Sequence, residues 1–358
     1  MGRPHAQKHS TYRAAVLALG IALAACGGAT PPPTVTDILD GAVLEVAPYG
    51  RQLPVGDLAA RDRELRGVSG LAASRAATGT LWAVSDTATK LFAIRQGRRK
   101  LKVRRVDVRG VRRFDWEDLA WFEDRGDPFL MIADVGTNRP GSKARRRNGE
   151  PVGQLHIVRE PRADDDRVDV LRTITFTLPC EEAADIESVA VDGRRREVLL
   201  VQKRARAKRV LVLDLDQNHH DVDASAWTPV ALPELYAWER QRLGLPARSL
   251  YQTTWRRNPT GMDLLGARAV LLTNRHAYIY RRDDQQSWRH ALASPPRQLQ
   301  IPFAVELPGR PTVTVPADAN LVLPQREAIC FSPDGAVVHV ASEQRDEPGA
   351  WLVRFERR

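Results

Sequence analysis

The sequence predicts an all-β fold, a β-propeller of four-stranded antiparallel blades. Three observations lead to this prediction. A motif of an acidic or polar residue, a spacer, an aliphatic residue and a small residue recurs along the chain. Two further apolar runs follow each copy, and turns rich in Gly, Asp or Arg separate the runs. Short strands at this density, in repeated units, are typical of propellers.

The unit can be counted five times. The motif copies lie at residues 69–72, 117–120, 187–190, 260–263 and 327–330. Second strands are predicted at residues 81–84, 129–133, 198–201, 269–272 and 337–341. Third strands are predicted at residues 90–94, 154–158, 209–213, 277–280 and 351–355. A fourth strand follows the first four copies, as at residues 101–108 and 172–178, but the last copy lacks one.

The strand missing from the last copy is predicted near the start of the chain. Residues 41–47 form the one strand-like run that no copy uses. We therefore expect this run to complete the last blade and close the ring. The irregular stretch at residues 227–258 leaves room for a sixth blade, so five or six blades remain possible from the sequence.

The first residues have the pattern of an export signal. Arg3, Lys8 and Arg13 precede an apolar run at residues 14–25. A charged start, a short apolar core and small residues at its end are typical of a secretory signal peptide. The run is too short for a stable membrane-spanning helix. The predicted division is a signal peptide at residues 1–25, a tether at residues 26–40 and the propeller at residues 41–358.

The end of this signal resembles the lipobox of bacterial lipoproteins. The residues Leu-Ala-Ala-Cys at positions 23–26 match that motif, which implies that Cys26 is acylated and becomes the mature N-terminus. Gly27 follows, and the absence of Asp there favours the outer membrane of a Gram-negative bacterium. The Pro-rich residues 27–36 then act as an unfolded tether. An ordinary secretory signal with an incidental cysteine is the alternative.

Charge and cysteine content narrow the function classes. The formal charge of +10 falls to +7 without residues 1–25, which hold three basic residues and no acidic one. The basic residues cluster at 95–113, 143–147 and 194–209, and they form either a solvated surface or a contact with anionic lipid or polysaccharide. An exported protein meets little nucleic acid, so no nucleic-acid partner is expected. Cys180 and Cys330 lie in different predicted blades, and the sequence leaves open whether they pair.

A set of polar residues is predicted to meet at one end of the channel. The inner strand of a blade and the next strand form an antiparallel hairpin, so the start of one and the end of the other share a rim. The inner strand starts supply Glu117, Glu187, Glu327 and, displaced by three positions, Asp263. The second strand ends supply Asp86, Asp134, Asn138, Lys203, Asn274 and Glu343.

Two interpretations of this rim remain open. Carboxylates that converge on one axis repel each other unless they are protonated, paired or bound to metal. Oxygen ligands without a His and Cys set favour calcium, with Glu117, Glu187 and Glu327 as its ligands. Alternatively, each Glu accepts backbone N–H groups of the neighbouring blade and serves as a structural staple.

The motifs also carry a family resemblance. The sequences at residues 69–74, 81–86, 115–120, 133–138 and 185–190 resemble a group of bacterial exported propeller proteins akin to the esterase-like phytase and WD40-like propellers. The match covers most of residues 65–345. The resemblance implies a propeller. It is compatible with either of two functions: an envelope lipoprotein that binds or scaffolds an unidentified ligand or partner, or a metal-dependent hydrolase of phosphoric or carboxylic esters with its site at the channel mouth.

Overall fold

The computed structural model describes most of the predicted propeller. It covers residues 45–97, 100–136, 146–147, 150–178, 185–203, 208–220, 222–232, 257–299, 301, 325–343 and 349–358. The predicted signal peptide, the tether and residues 41–44 lie outside these ranges, as do Cys26, Asn138 and Cys180. No helix in the described ranges is long and apolar enough to cross a membrane.

The described strands form five blades. The chain enters through β1 (Tyr49–Asp57). Blade 1 consists of β2 (Val68–Ala73), β3 (Thr80–Ser85), β4 (Lys90–Gln96) and β5 (Leu101–Arg109). Blade 2 consists of β6 (Trp116–Asp124), β7 (Asp127–Asp134), β9 (Glu150–Arg159) and β10 (Arg167–Thr177), and the short β8 (Arg146–Arg147) pairs with β9.

The other three blades repeat this order. Blade 3 consists of β11 (Ile186–Asp192), β12 (Glu197–Gln202), β13 (Arg209–Asp214) and β14 (Trp227–Pro229). Blade 4 consists of β15 (Pro259–Leu265), β16 (Arg268–Thr273), β17 (Ala277–Arg281) and β18 (Arg297–Leu299). Blade 5 consists of β19 (Arg326–Phe331), β20 (Val337–Ser342), β21 (Trp351–Arg357) and β1. The all-β propeller predicted from the repeats is therefore confirmed.

The five inner strands form a closed ring. Each of β2, β6, β11, β15 and β19 contacts the next one, and β19 contacts β2. Since β11 and β15 lie side by side, no blade separates the third from the fourth. The sixth blade considered for residues 227–258 is thus not part of the ring that the described residues form.

The predicted closure of the ring by an N-terminal strand is correct, but the strand lies further along the chain than predicted. β1, at Tyr49–Asp57, pairs antiparallel with β21 and completes blade 5. Residues 45–47, the described part of the predicted run at 41–47, do not fill this place: Val46 instead makes an isolated bridge to Gln298 at the outer edge of blade 4. The sequence pattern favoured residues 41–47 because β1 contains Gly50, Pro54 and Gly56, which weaken a strand signal.

Apolar side chains fill the interfaces between blades. Five buried clusters occur among the described residues, one for each pair of neighbouring blades. For example, Phe122 and Met131 of blade 2 pack in one cluster with Val189 and Leu200 of blade 3. Both faces of each sheet are therefore buried. This burial explains why the inner strands are continuous apolar runs rather than alternating ones.

Blades 1 and 2 are also joined at their outer edges. The start of β10 pairs in parallel with the end of β5, with Val168 opposite Val108. The two blades consequently form one continuous sheet, whereas blades 3, 4 and 5 are separate sheets.

The two ends of the ring differ in composition. We call the end where the inner strands begin and the second strands end the upper rim. The other end, where the inner hairpins turn at residues 124–127 and 192–197, is the lower rim. Most of the predicted polar residues belong to the upper rim.

Candidate functional site

A one-residue β-bulge recurs at the start of every inner strand. In blade 2, for example, Trp116 is opposite Asp134 and Asp118 is opposite Ala133, so Glu117 is the additional residue. The five additional residues are Ser69, Glu117, Glu187, Thr260 and Glu327. A bulge re-aims a side chain, and bulges are common beside active sites. The same distortion therefore presents one polar side chain per blade at the upper rim.

The three glutamates at these bulges surround one lysine. Lys203, which follows β12, forms an ion pair with Glu187, and both side chains are less than a tenth exposed. Burial alone would lower the pKa of Lys203, but the charges of Glu187, Glu327 and Glu117 outweigh it and raise this pKa. Lys203 is therefore a fixed cation at the centre of the rim.

Glu117 is a rim carboxyl whose pKa is raised. Burial raises its pKa well above the ordinary value, and the charges of Glu187 and Asp115 raise it further. Gly136 adjoins this group, because a Cβ atom there would collide with the carboxylates of Glu117 and Asp115. A glycine at this point leaves the space that the two acidic side chains occupy.

The two hydroxyl residues at the bulges act as staples. Ser69 Oγ donates to the carbonyl of Trp116 at 2.8 Å, and Thr260 Oγ1 donates to the carbonyl of Arg326 at 2.7 Å. Each bond joins a blade to the next one. The staple role predicted for the glutamates is thus found at Ser69 and Thr260.

Aspartates below the bulges tie further blades together. Asp118 Oδ2 accepts the backbone N–H groups of Val189 at 2.7 Å and of Met262 at 3.1 Å. Asp263 Oδ2 accepts the N–H of Phe331 at 2.8 Å. Asp263 was predicted at the rim, but it lies three residues after the bulge residue Thr260, in the place that Ala120 has in blade 2. Burial raises its pKa to about 6.

The residues predicted at the ends of the second strands divide into two groups. Asp86, Lys203, Asn274 and Glu343 each donate a backbone N–H to the residue before the inner strand, with N···O distances of 2.7–3.1 Å. In blade 2 this bond comes from Gly136. Asp134 lies earlier, opposite Trp116, and accepts the N–H groups of Phe114 and Asp115 at 3.0 and 2.6 Å. It positions the chain that leads into β6. The remaining predicted residue, Asn138, lies outside the described residues.

Sequence reasoning missed several buried charges at the same rim. Asp115 and Asp185 precede two of the inner strands and are about 5% and 4% exposed. Both belong to a repeated Asp-x-Glu pattern that could have revealed them. Lys208 donates from Nζ to the carbonyl of Lys203 and to Asn258 Oδ1, the latter at 2.8 Å. Burial and the charge of Arg257 lower the pKa of Lys208 to about 7.

The described residues do not form a metal-binding group at the rim. No set of three or more His, Cys, Asp or Glu side chains in the described ranges could hold a metal ion. Lys203 supplies, among Glu117, Glu187 and Glu327, the positive charge that a calcium ion would supply. Cys330 is buried as a free thiol; Cys180 lies outside the described residues.

Comparisons with known proteins do not identify a function for this chain. No family model matches the sequence, and no curated protein matches it either. The solved structures that resemble it include the PQQ-bound aldose sugar dehydrogenase of Streptomyces coelicolor (10% identity, TM-score 0.39, 87% of this chain and 99% of that one). They also include the calcium-binding protein regucalcin of Agrobacterium tumefaciens (11% identity, TM-score 0.42, 88% and 98%). Such values say nothing about a ligand or an activity of this chain.

Proposed function

We propose that the protein is a lipid-anchored propeller of the cell envelope that binds a ligand at its upper rim. The observation that carries this proposal is the cluster of Glu117, Glu187 and Glu327 around Lys203. Buried charges cost free energy, and a blade interface can be built without them. Strongly shifted titrating groups concentrated at one mouth of a ring are typical of binding or catalytic sites.

The chemistry of the rim favours a ligand that donates hydrogen bonds. Glu187 is engaged by Lys203, whereas burial, together with the charges of Glu187 and Asp115, raises the pKa of Glu117 so that it retains a proton. An amine placed beside Glu117 would lower the pKa of that carboxyl and gain a charge-assisted hydrogen bond. Asp118 bridges opposite sides of the ring below this point, so such a ligand reaches the cluster from the upper rim.

Calorimetry with three probes tests this site. We expect 1,4-diaminobutane, a dication, to bind, and succinate, a dianion of similar length, not to bind. Glucose measures the contribution of neutral hydroxyl donors. The affinity for the diamine should fall about tenfold in Glu117→Gln, because the charged acceptor is lost. Glu123→Gln, an exposed change at the lower rim, is the matched control. Equal affinity in wild type and Glu117→Gln would contradict binding at the rim.

The lipid anchor rests on the sequence of the signal and lipobox. Cys26 would carry the acyl chains and hold the propeller at the membrane. The expected location is the outer membrane, with the propeller facing the periplasm. In Cys26→Ser, fractionation should find an unprocessed or soluble protein. Normal processing of the variant and its recovery with the membrane would contradict acylation.

Ester hydrolysis is a second candidate function. Glu117 favours it, because a carboxyl with a raised pKa can serve as a general acid toward a leaving group. The calcium predicted from the sequence would then have to compete with Lys203 for the carboxylates. The test is turnover of p-nitrophenyl phosphate and p-nitrophenyl acetate with added calcium or with EDTA. Turnover that Glu117→Gln abolishes would support a hydrolase; none above the buffer rate with either ester would reject one.

A further inference from the structure

A second site lies far from the upper rim, between blades 4 and 5. A cavity of about 500 Å³ opens there near the lower rim. Arginines dominate its polar lining, and they are joined by the hydroxyl residues Tyr49 and Ser294. The four arginines are Arg268, Arg281, Arg297 and Arg357. The volume is in the range of pockets that hold small ligands.

Three of these arginines lie on neighbouring strands of one sheet. Arg268 on β16 is directly opposite Arg281 on β17, and Arg297 on β18 is opposite Ile279, two residues before Arg281. Residues two apart on a strand share a face, so the three side chains line one wall. Like charges directly opposite each other destabilise a sheet. This arrangement is unfavourable unless an anion joins the arginines.

The fourth arginine faces this wall from blade 5. Arg357 at the end of β21 is paired with Tyr49 at the start of β1. Burial raises the pKa of Tyr49, and the charges of Arg268 and Arg357 oppose this effect, so both guanidinium groups lie near the tyrosine oxygen. Tyr49 Oη itself donates to the carbonyl of Gly335 at 3.1 Å. Arginines of two blades therefore converge at Tyr49.

Two nearby carboxylates, those of Glu45 and Asp334, offset the charge of the four arginines only in part. Glu45 pairs with Arg297 at 2.9 Å, but both side chains are more than half exposed, and such pairs are weak. Asp334 is held by Ser332 Oγ at 2.6 Å and by the N–H of Ala336 at 3.0 Å. Arg268 is fixed in place, because its guanidinium stacks over the ring of Phe331 at 5.2 Å.

We propose that this cavity binds a phosphate group carried on an organic ligand. The guanidinium fork matches two oxygens of a phosphate, and several arginines at one point are a common solution for phosphate recognition. Ile279, Ala291 and Pro295 form an apolar part of the lining, which suits the carbon portion of a phosphate ester. A lipid headgroup and a soluble phosphorylated metabolite share this chemistry.

Two binding measurements distinguish these sources. Both use the full chain with Cys26→Ser, so that acylation cannot anchor it. Calorimetry with glycerol 3-phosphate tests the soluble ligand, and sedimentation with vesicles of phosphatidylcholine, with or without a quarter of phosphatidic acid, tests the lipid. We expect glycerol 3-phosphate to bind at one site. Binding to the acidic vesicles as well assigns the site to lipid headgroups, whereas binding of glycerol 3-phosphate alone assigns it to a soluble ester.

Paired variants test the location. A double variant, Arg281→Gln with Arg357→Gln, removes two exposed arginines of the cavity. Each of the two substitutions should weaken binding about fivefold. Arg109→Gln with Arg194→Gln removes two exposed arginines elsewhere and gives the same net charge. Melting temperatures of both double variants show whether the fold is retained. No binding of either probe by the wild type, or equal losses in the two double variants, would overturn the proposal.

Discussion

Asp118 of blade 2 accepts the backbone N–H of Met262 in blade 4 at 3.1 Å, although blade 3 stands between these blades in the ring. Its second bond, to Val189, reaches the inner strand of blade 3 itself. One side chain thus joins three inner strands at a level below the upper rim.

Asp118→Ala should destabilise the ring strongly. The change leaves the N–H groups of Val189 and Met262 without their acceptor, and each buried orphan costs about 1–3 kcal/mol. We expect the free energy of unfolding in urea to fall by about 2–4 kcal/mol. Ser188 occupies the same position in blade 3 and is buried with no hydrogen-bond partner for its hydroxyl. Ser188→Ala is therefore the matched control, and a similar loss in both variants would show that the position, not the carboxylate, matters.

Glu117→Gln should make the empty protein more stable at neutral pH. The pKa of Glu117 is raised in the folded state above its ordinary value of 4.5. Its contribution to stability is therefore fully present below that value and is lost as the pH rises through the folded pKa. A glutamine stays neutral, so the melting temperature of the variant should exceed that of the wild type by about 2 °C or more at pH 8. The difference should shrink toward pH 4. A lower melting temperature at all pH values would instead favour a staple role.

Lys208 should make stability increase above neutral pH. Its pKa is lowered to about 7 in the folded state, from an unfolded value of 10.5. The stability linked to this group is therefore present above the unfolded pKa and is lost as the pH falls toward about 7. Between these values the free energy of unfolding should rise by up to about 1.4 kcal/mol per pH unit. Urea titrations at pH 7, 8.5 and 10 should show a smaller rise in Lys208→Met than in the exposed control Lys102→Met. Identical rises would mean that Lys208 titrates normally.

Ring closure should depend on β1 and not on residues 41–47. A protein that begins at Pro48 keeps β1 but loses buried Ala47 and the backbone bonds of residues 45–47 to Gln298, so we expect it to fold and to melt only slightly below the longer protein. A protein that begins at Leu58 exposes the edge of β21 and the apolar surface that Tyr49 covers, so it should unfold or aggregate. Thermal melts and light scattering compare the two. Equal melting temperatures would show that β1 is dispensable.

The repeat made the fold predictable, whereas the site was only partly so. Periodic apolar runs identify strands, and the Glu at the start of three of them marks the bulge. Two errors came from local irregularities that spacing cannot reveal. After its second strand, blade 2 has one residue more than the other blades. Gly136 rather than Asp134 therefore donates the backbone bond that marks the rim in the other blades. Asp263 was counted as a displaced rim residue, but its carboxylate binds backbone below the bulge because Thr260 already fills the rim position.

The lysines of the rim show a different limit of the sequence. Lys203 was predicted, since it directly ends a second strand. Lys208 precedes a third strand and resembles a surface residue in the basic run at residues 194–209. In the fold it is buried, and its Nζ donates to Oδ1 of Asn258, just ahead of blade 4. Such a contact depends on two segments 50 residues apart, and neither carries a local signal for it.

The sheet shared by blades 1 and 2 makes these two blades harder to separate than the other neighbouring pairs. Between other blades, separation disrupts side-chain packing and a few staples. Here it would also break the backbone ladder between β5 and β10. We expect the first two blades to open as one cooperative unit, so that amide hydrogens at Val168 and its neighbours exchange with the slow set rather than with the frayed outer edges. We thus expect a chain built from five similar units to unfold as one pair and three single blades.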